Sequence, residues 1–181
     1  MSENAFEPDS IDAVVAAWAR ERPDLDLTAI GIVGRLGRAA LLLRPAQEGV
    51  FAEFGLQPGE FDVLATLRRA GEPYTLIPSQ LSAALLLTRA GMTNRIDRLV
   101  ASGLVERTLD PNDRRSFHIR LTAKGYTTVD EAMTAHTANV TRLLSAIPDT
   151  GQAALEDLLR TLLHTLEAPS ARVAEEQVRG R

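Results

Sequence analysis

Arg89, Thr93, Asn94 and Arg98 follow one another at intervals of four, one and four residues, so a helix through them carries all four along one side. Arg and Asn are the side chains that pair two hydrogen bonds with the edge of a guanine or an adenine. Arg114 and Arg115 come shortly after, in a polar stretch where adjacent guanidinium groups suit a phosphate or the negative potential of a minor groove. The same residues also describe a solvated helix face and a solvated turn. A second set is Asp62 and Arg69, seven residues apart. On a helix that is about two turns, one face and roughly 10 Å along the axis, a spacing that suits flanking a third group better than direct pairing. Solvation, or bonds to a neighbouring helix, would account for both equally. Trp18 sits on an apolar stripe, where packing is the ordinary role, although its indole N–H can donate to a carbonyl. Arg95 lies nearly two turns into its helix, far enough to face protein in place of a groove.

Enzymatic chemistry finds little here. There is no G-x-S-x-G, no H-E-x-x-H and no P-loop. His118, His136 and His164 are eighteen and twenty-eight residues apart, which is no metal motif; a surface zinc site across a dimer is the alternative. The chain has no cysteine, which excludes disulfides, Cys-zinc sites and thiol chemistry. No catalytic residue, metal ligand or cofactor is expected.

The 181 residues suffice for one domain or one and a half with a real core. Apolar residues make up 45% and charged residues 24%, ordinary for a soluble globular protein, and aromatics are scarce beside long Leu and Ala runs. That balance favours helices over a β-sandwich or barrel. The acidic, polar start is wrong for a signal peptide, and no apolar run reaches the roughly 18 residues of a membrane helix, so a cytoplasmic location is expected. The net charge of −4 averages two unlike segments. Residues 1–30 hold seven acids and two arginines, a charge of −5; residues 86–125 hold eight bases and four acids, a charge of +4.

These residues need elements to hold them. Ser10 is expected to cap a helix through Arg20, with Ile11, Val14, Val15 and Trp18 along one stripe. A second helix is expected over 28–44, stopped by Pro45. Its Gly31, Gly34 and Gly37, every third residue, point to close approach of another helix more than to a phosphate loop. A third helix spans about 58–69, and residues 74–77 form a short extended piece. Pro78 opens a helix to about residue 87. Thr88 caps the next, over 89–102, with Gly103 just beyond its end and Met92, Ile96 and Leu99 on its buried side. Residues 104–109 and 116–121 alternate as two strands around the turn 110–115. Thr122 caps a long helix to about residue 146, and a last helix over 149–167 carries a stripe of Leu155, Leu158, Leu159, Leu162, Leu163 and Leu166. The tail 169–181 is polar. Two short helices followed at once by a hairpin is the layout of a winged helix, whose second helix enters the major groove. The +4 segment then has a geometry suited to DNA.

Pro78-Ser-Gln-Leu, Thr88-Arg-Ala-Gly-Met-Thr-Asn-Arg-Ile-Asp-Arg-Leu99 and Gly103-Leu-Val-Glu-Arg107 resemble the winged helix of the MarR family of bacterial transcriptional regulators. Asp110-Pro-Asn-Asp-Arg-Arg115 followed by Leu121-Thr-Ala-Lys-Gly125 resembles that family's wing signature, and the resemblance covers roughly residues 28–167. It implies a mainly α fold with a small β-hairpin wing, in a homodimer of triangular outline. Residues 10–57 and 123–168 would form the helical dimerisation region, with an added N-terminal helix at 10–21, and residues 58–122 the winged helix-turn-helix. Ser79, Thr88, Arg89, Thr93, Asn94, Arg98, Arg114 and Arg115 are the DNA contacts it implies. Trp18, Asp62, Arg69 and Arg95 further resemble the ligand-binding set of the urate-responsive subgroup.

The expected function is therefore a ligand-responsive regulator that binds double-stranded operator DNA as a homodimer and leaves it when a small anionic ligand, urate or another purine, binds. The alternatives are a regulator responding to an organic or aromatic acid, and a helical dimeric interaction protein that does not bind DNA. The last explains the leucine stripe but not the basic hairpin.

Overall fold

The computed structural model describes residues 7–85, 88–109 and 117–168. They belong to two compact units, Met1–His136 and Thr137–Arg181.

In the first unit, helix α1 (Ser10–Glu21) is capped by Asp9, one residue before the expected Ser10. Its carboxylate accepts from the N–H groups of Ile11 and Asp12 at 2.7 and 3.0 Å, and Asp12 returns the bond to the Asp9 N–H at 2.8 Å. A carboxylate is favoured there because it also faces the positive end of the helix dipole. Helix α2 (Thr28–Glu53) continues through Pro45, where the sequence predicts a stop. Proline removes one N–H and crowds the preceding turn, a cost of about 3 kcal/mol. The far half of α2 offsets it by burying Phe51, whose ring stacks on Phe61 with centroids 4.0 Å apart. The glycine pattern is explained in part. A Cβ on Gly34 would lie 3.1 Å from Ile11, and one on Gly31 would lie 3.7 Å from Val15, so α1 packs on these two positions; Gly37 meets nothing within 4 Å. Arg35 closes the contact, donating to Asp9 at 2.8 Å and to Asp12 at 2.5 Å.

Helices α3 (Glu60–Arg69), α4 (Pro78–Ala84) and α5 (Arg89–Ala101) follow, with strand β1 (Thr75–Leu76) between the first two. Strands β2 (Val105–Leu109) and β3 (Phe117–Leu121) are antiparallel, Val105 opposite Leu121 and Leu109 opposite Phe117. The expected two-stranded hairpin is a three-stranded sheet in the order β1-β3-β2, because Thr75 and Leu76 pair with Arg120 and Ile119. Two residues are too few to show a period, so only the long-range ladder reveals them as a strand. The core lies between α3, α4, α5 and the sheet, where Val63, Leu64, Leu67, Leu81, Leu99 and Ile119 are fully buried. The predicted inner stripe of α5, Met92, Ile96 and Leu99, is part of it. Helix α6 (Ala123–Leu144) begins so close to the chain entering β2 that a Cβ on Gly125 would lie 1.9 Å from the Leu104 carbonyl oxygen.

The second unit is built on helix α7 (Asp149–Glu167), reached by a turn in which the Gln152 amide donates to the Ile147 carbonyl at 2.8 Å. Of its leucine stripe, Leu158 and Leu166 are each 70% exposed, and Leu162 and Leu163 are also exposed. No helix among the described residues is long and apolar enough to cross a membrane.

Candidate nucleic-acid interface and adjoining hollow

Helix α5 is bounded as local chemistry requires. The Thr88 hydroxyl accepts from the Gly91 N–H at 3.2 Å, and Gly103, at φ +70°, follows the last turn. Burial of Met92, Ile96 and Leu99 turns Thr93 and Asn94 outward, both exposed, and leaves Arg98 about half exposed on the same side. Ser79, at the second position of α4, and Thr88 are exposed as well. Arg89 is the first residue of α5. Arg114 and Arg115 lie outside the described residues.

Two ion pairs tie α5 to its neighbours. Asp97 pairs with Arg107 on β2, which cancels the acidic charge on the helix's outer side. Arg98 Nε donates to Glu60 Oε1 at 2.7 Å. The Glu60 side chain is only 5% exposed, and its second oxygen accepts from the Gln57 N–H at 2.8 Å. Sequence reading missed Glu60, since nothing local marks an acid whose partner lies thirty-eight residues away.

Arg95 turns inward from α5. Its guanidinium covers Gly59, where a Cβ would fall 2.5 Å from the guanidinium carbon, and Gly59 holds φ +77° before the first turn of α3. Arg95 and Asp62 both line a hollow of about 450 Å³, together with Arg44, Gln47, Glu48 and Phe51 of α2. Two of the four residues predicted for a ligand are thus brought together. The other two are placed elsewhere: Arg69 donates to the Thr66 hydroxyl at 3.0 Å, and Trp18, 52% exposed, lines a shallow apolar depression on α1 with Ala13, Val14, Ala17 and Glu21. Gln47 and Glu48 were hidden from sequence reading because the expected stop at Pro45 ended their helix too early, and Arg44, the last residue of that expected helix, carried no signal of its own.

Arg68 donates to Asp130 at 2.9 Å, which raises its own pKa, and it also donates to the Tyr126 hydroxyl at 2.9 Å and lies over the Tyr126 ring, fastening α3 to α6. Burial raises the Tyr74 phenol above its ordinary value. Among the described residues no group of three or more His, Asp or Glu could hold a metal ion.

The MarR family model matches residues 54–116, from the end of α2 to the residue before β3. The HTH-type transcriptional regulator PecS of Dickeya dadantii (strain 3937) is 38% identical over 149 residues, 82% of this chain and 90% of that protein. The chain belongs to the MarR family. The transcriptional repressor MprA of Escherichia coli (strain K12) is 34% identical over 113 residues, 62% of this chain and 64% of its own. A solved structure of a mutant MarR from Escherichia coli, complexed with operator DNA, superposes with a TM-score of 0.65 at 25% identity, covering 76% of this chain and 97% of that one. This MarR-family chain is a transcriptional regulator with a winged helix-turn-helix, not an enzyme.

Proposed function

We propose that this regulator binds a pseudo-palindromic operator as a homodimer in the cytoplasm, and that a small anionic ligand, urate or a related purine, releases it to relieve repression. Residues 10–57 and 123–168 form the dimerisation region, and residues 58–122 bind DNA. The exposed leucines of α7 and the exposed Ile30, Ile32, Val33 and Leu41 of α2 support a second copy as the missing cover. Thr93, Asn94 and Arg98 read the major groove with Arg89, Ser79 and Thr88 beside them, and Arg114 and Arg115 hold the wing to the minor groove.

The observation that carries the ligand response is the shared hollow of Asp62 and Arg95. An anion held there by Arg95 meets the Asp62 carboxylate, and like charges at short range are costly where water is excluded. Asp62 and Arg95 sit on α3 and α5, so relief of that repulsion moves the DNA-reading helix. Arg69, as a further cation, and Trp18, as a wall and hydrogen-bond donor, enter the site by resemblance alone. The ligand weakens DNA binding only by as much as it prefers the non-binding arrangement, typically about 1–3 kcal/mol.

Gel shifts with the promoter duplex beside the protein's own gene test both halves. Wild type should bind it, and urate, xanthine or hypoxanthine should release it where citrate and an aromatic acid act weakly or not at all. Arg95→Ala and Arg69→Ala should retain DNA in the presence of the purine. Release by citrate or the aromatic acid alone would replace the purine with an organic acid, and absence of any shift would remove the DNA-binding reading.

A further inference from the structure

The Glu60–Arg98 pair is an odd arrangement for a residue that faces DNA. One end is a carboxylate with 5% of its side chain exposed, and the other is a guanidinium with 48% exposed. Burying a charged group is unfavourable unless it is paired and hydrogen-bonded, and both Glu60 oxygens are satisfied, by Arg98 at 2.7 Å and by the Gln57 N–H at 2.8 Å. The contact runs through the Nε of Arg98, so the two terminal nitrogens are not needed to hold Glu60. A guanidinium is planar, and anchoring Nε to a fixed oxygen sets the direction in which its outer fork points. Asn94 lies one turn earlier on the same side of α5, and the Asp97–Arg107 pair holds the helix from the β2 side.

We propose that Glu60 is a positioning residue for sequence reading: it fixes the Arg98 guanidinium so that its outer nitrogens address one base pair in the operator, without itself touching DNA. A free arginine searches many rotamers, and the ordering cost falls on the DNA complex; an anchored one has met that cost on folding. Glu60 thereby sharpens discrimination at the base under Arg98 and leaves contacts elsewhere in the operator unchanged. This inference rests on the reading of α5 as the groove helix, with Arg98 among its contacts.

The test is a double-substitution cycle of Glu60→Gln and Arg98→Ala in the full-length chain. Binding is measured to the promoter duplex, to its single base-pair variants and to a scrambled duplex of equal length, with thermal unfolding of every variant recorded. Arg98→Ala should relax preference at one base pair. Glu60→Gln, which keeps the shape but not the charge, should lose about fivefold or more in promoter affinity and relax preference at that same base pair, with scrambled-duplex affinity unchanged. In the Arg98→Ala background, Glu60→Gln should cost no further affinity. Equal losses on promoter and scrambled duplex, or additive losses in the double variant, would make Glu60 a fold residue only and overturn the proposal. A wild-type promoter affinity for Glu60→Gln would do the same. If Arg98→Ala leaves every base preference intact, the reading of Arg98 as a contact fails first, and the proposal with it.

Discussion

Gly59 and Gly125 are small for different reasons, and substitution separates them. Gly59 needs its positive φ, and its missing side chain makes room for the Arg95 guanidinium, the movable end of a long side chain. Gly59→Ala should destabilise by about 1–3 kcal/mol and displace Arg95 from the hollow, weakening ligand response beyond what the stability loss explains. Gly125 faces a backbone carbonyl that has nowhere to go, so Gly125→Ala should be among the most damaging single substitutions, about 3 kcal/mol or more by urea unfolding. Gly49, inside α2 with nothing within 4 Å of a Cβ, is the control: alanine there should stabilise by up to about 1 kcal/mol. The contrast between these glycines was not readable from sequence, which shows the residue but not the atom opposite it. Asp62 and Arg95 were readable as candidates because their types and the MarR resemblance pointed at them. Glu60 was not, because burial of an acid depends on the arginine that meets it through space.

At the scale of elements, what local chemistry decides was legible. Thr88, Gly103 and the Met92–Ile96–Leu99 stripe bound and orient α5 within its own few residues, and the helix is found as expected. What tertiary contact decides was not legible: α2 passes Pro45 because Phe51 stacks on Phe61, and β1 exists because β3 pairs with it. The docking of α1 is also an element-scale matter, and it should depend on acid. Arg35 holds the Asp9 carboxyl below the ordinary value of 3.8, assisted by the Asp12 and Ile11 N–H groups. A depressed folded-state pKa contributes stability that is present above the ordinary value and lost as the pH falls through the lower one. Trp18, the only tryptophan, sits on α1 and reports this directly. Its emission should change reversibly as the pH is taken below about 3.8 while far-UV circular dichroism is still near native. Arg35→Ala should show the loosened emission already at neutral pH; an unchanged spectrum would mean that the apolar contacts of Ile11 and Val15 alone seat the helix.

For the whole molecule, Leu158, Leu162, Leu163 and Leu166 of α7 are exposed among the described residues, and the proposed second copy is what would cover them. Sedimentation at micromolar concentration should give about twice the 19.7 kDa chain mass, and Leu158→Glu with Leu162→Glu should reduce it to the single mass. A wild-type monomer would contradict the dimer and, with it, the paired half-sites. In the proposed mechanism one ligand and one operator oppose each other through Asp62 and Arg95, and linkage makes that opposition measurable in a single comparison. By reciprocity, the factor by which the ligand weakens operator binding must equal the factor by which the operator weakens ligand binding. Calorimetric titration of urate into the free protein and into the protein saturated with its promoter duplex measures the second factor. Urate should bind the complex more weakly than the free protein by about 5- to 150-fold, with the difference abolished in Arg95→Ala. Equal urate affinity for the free and the DNA-bound protein would contradict it.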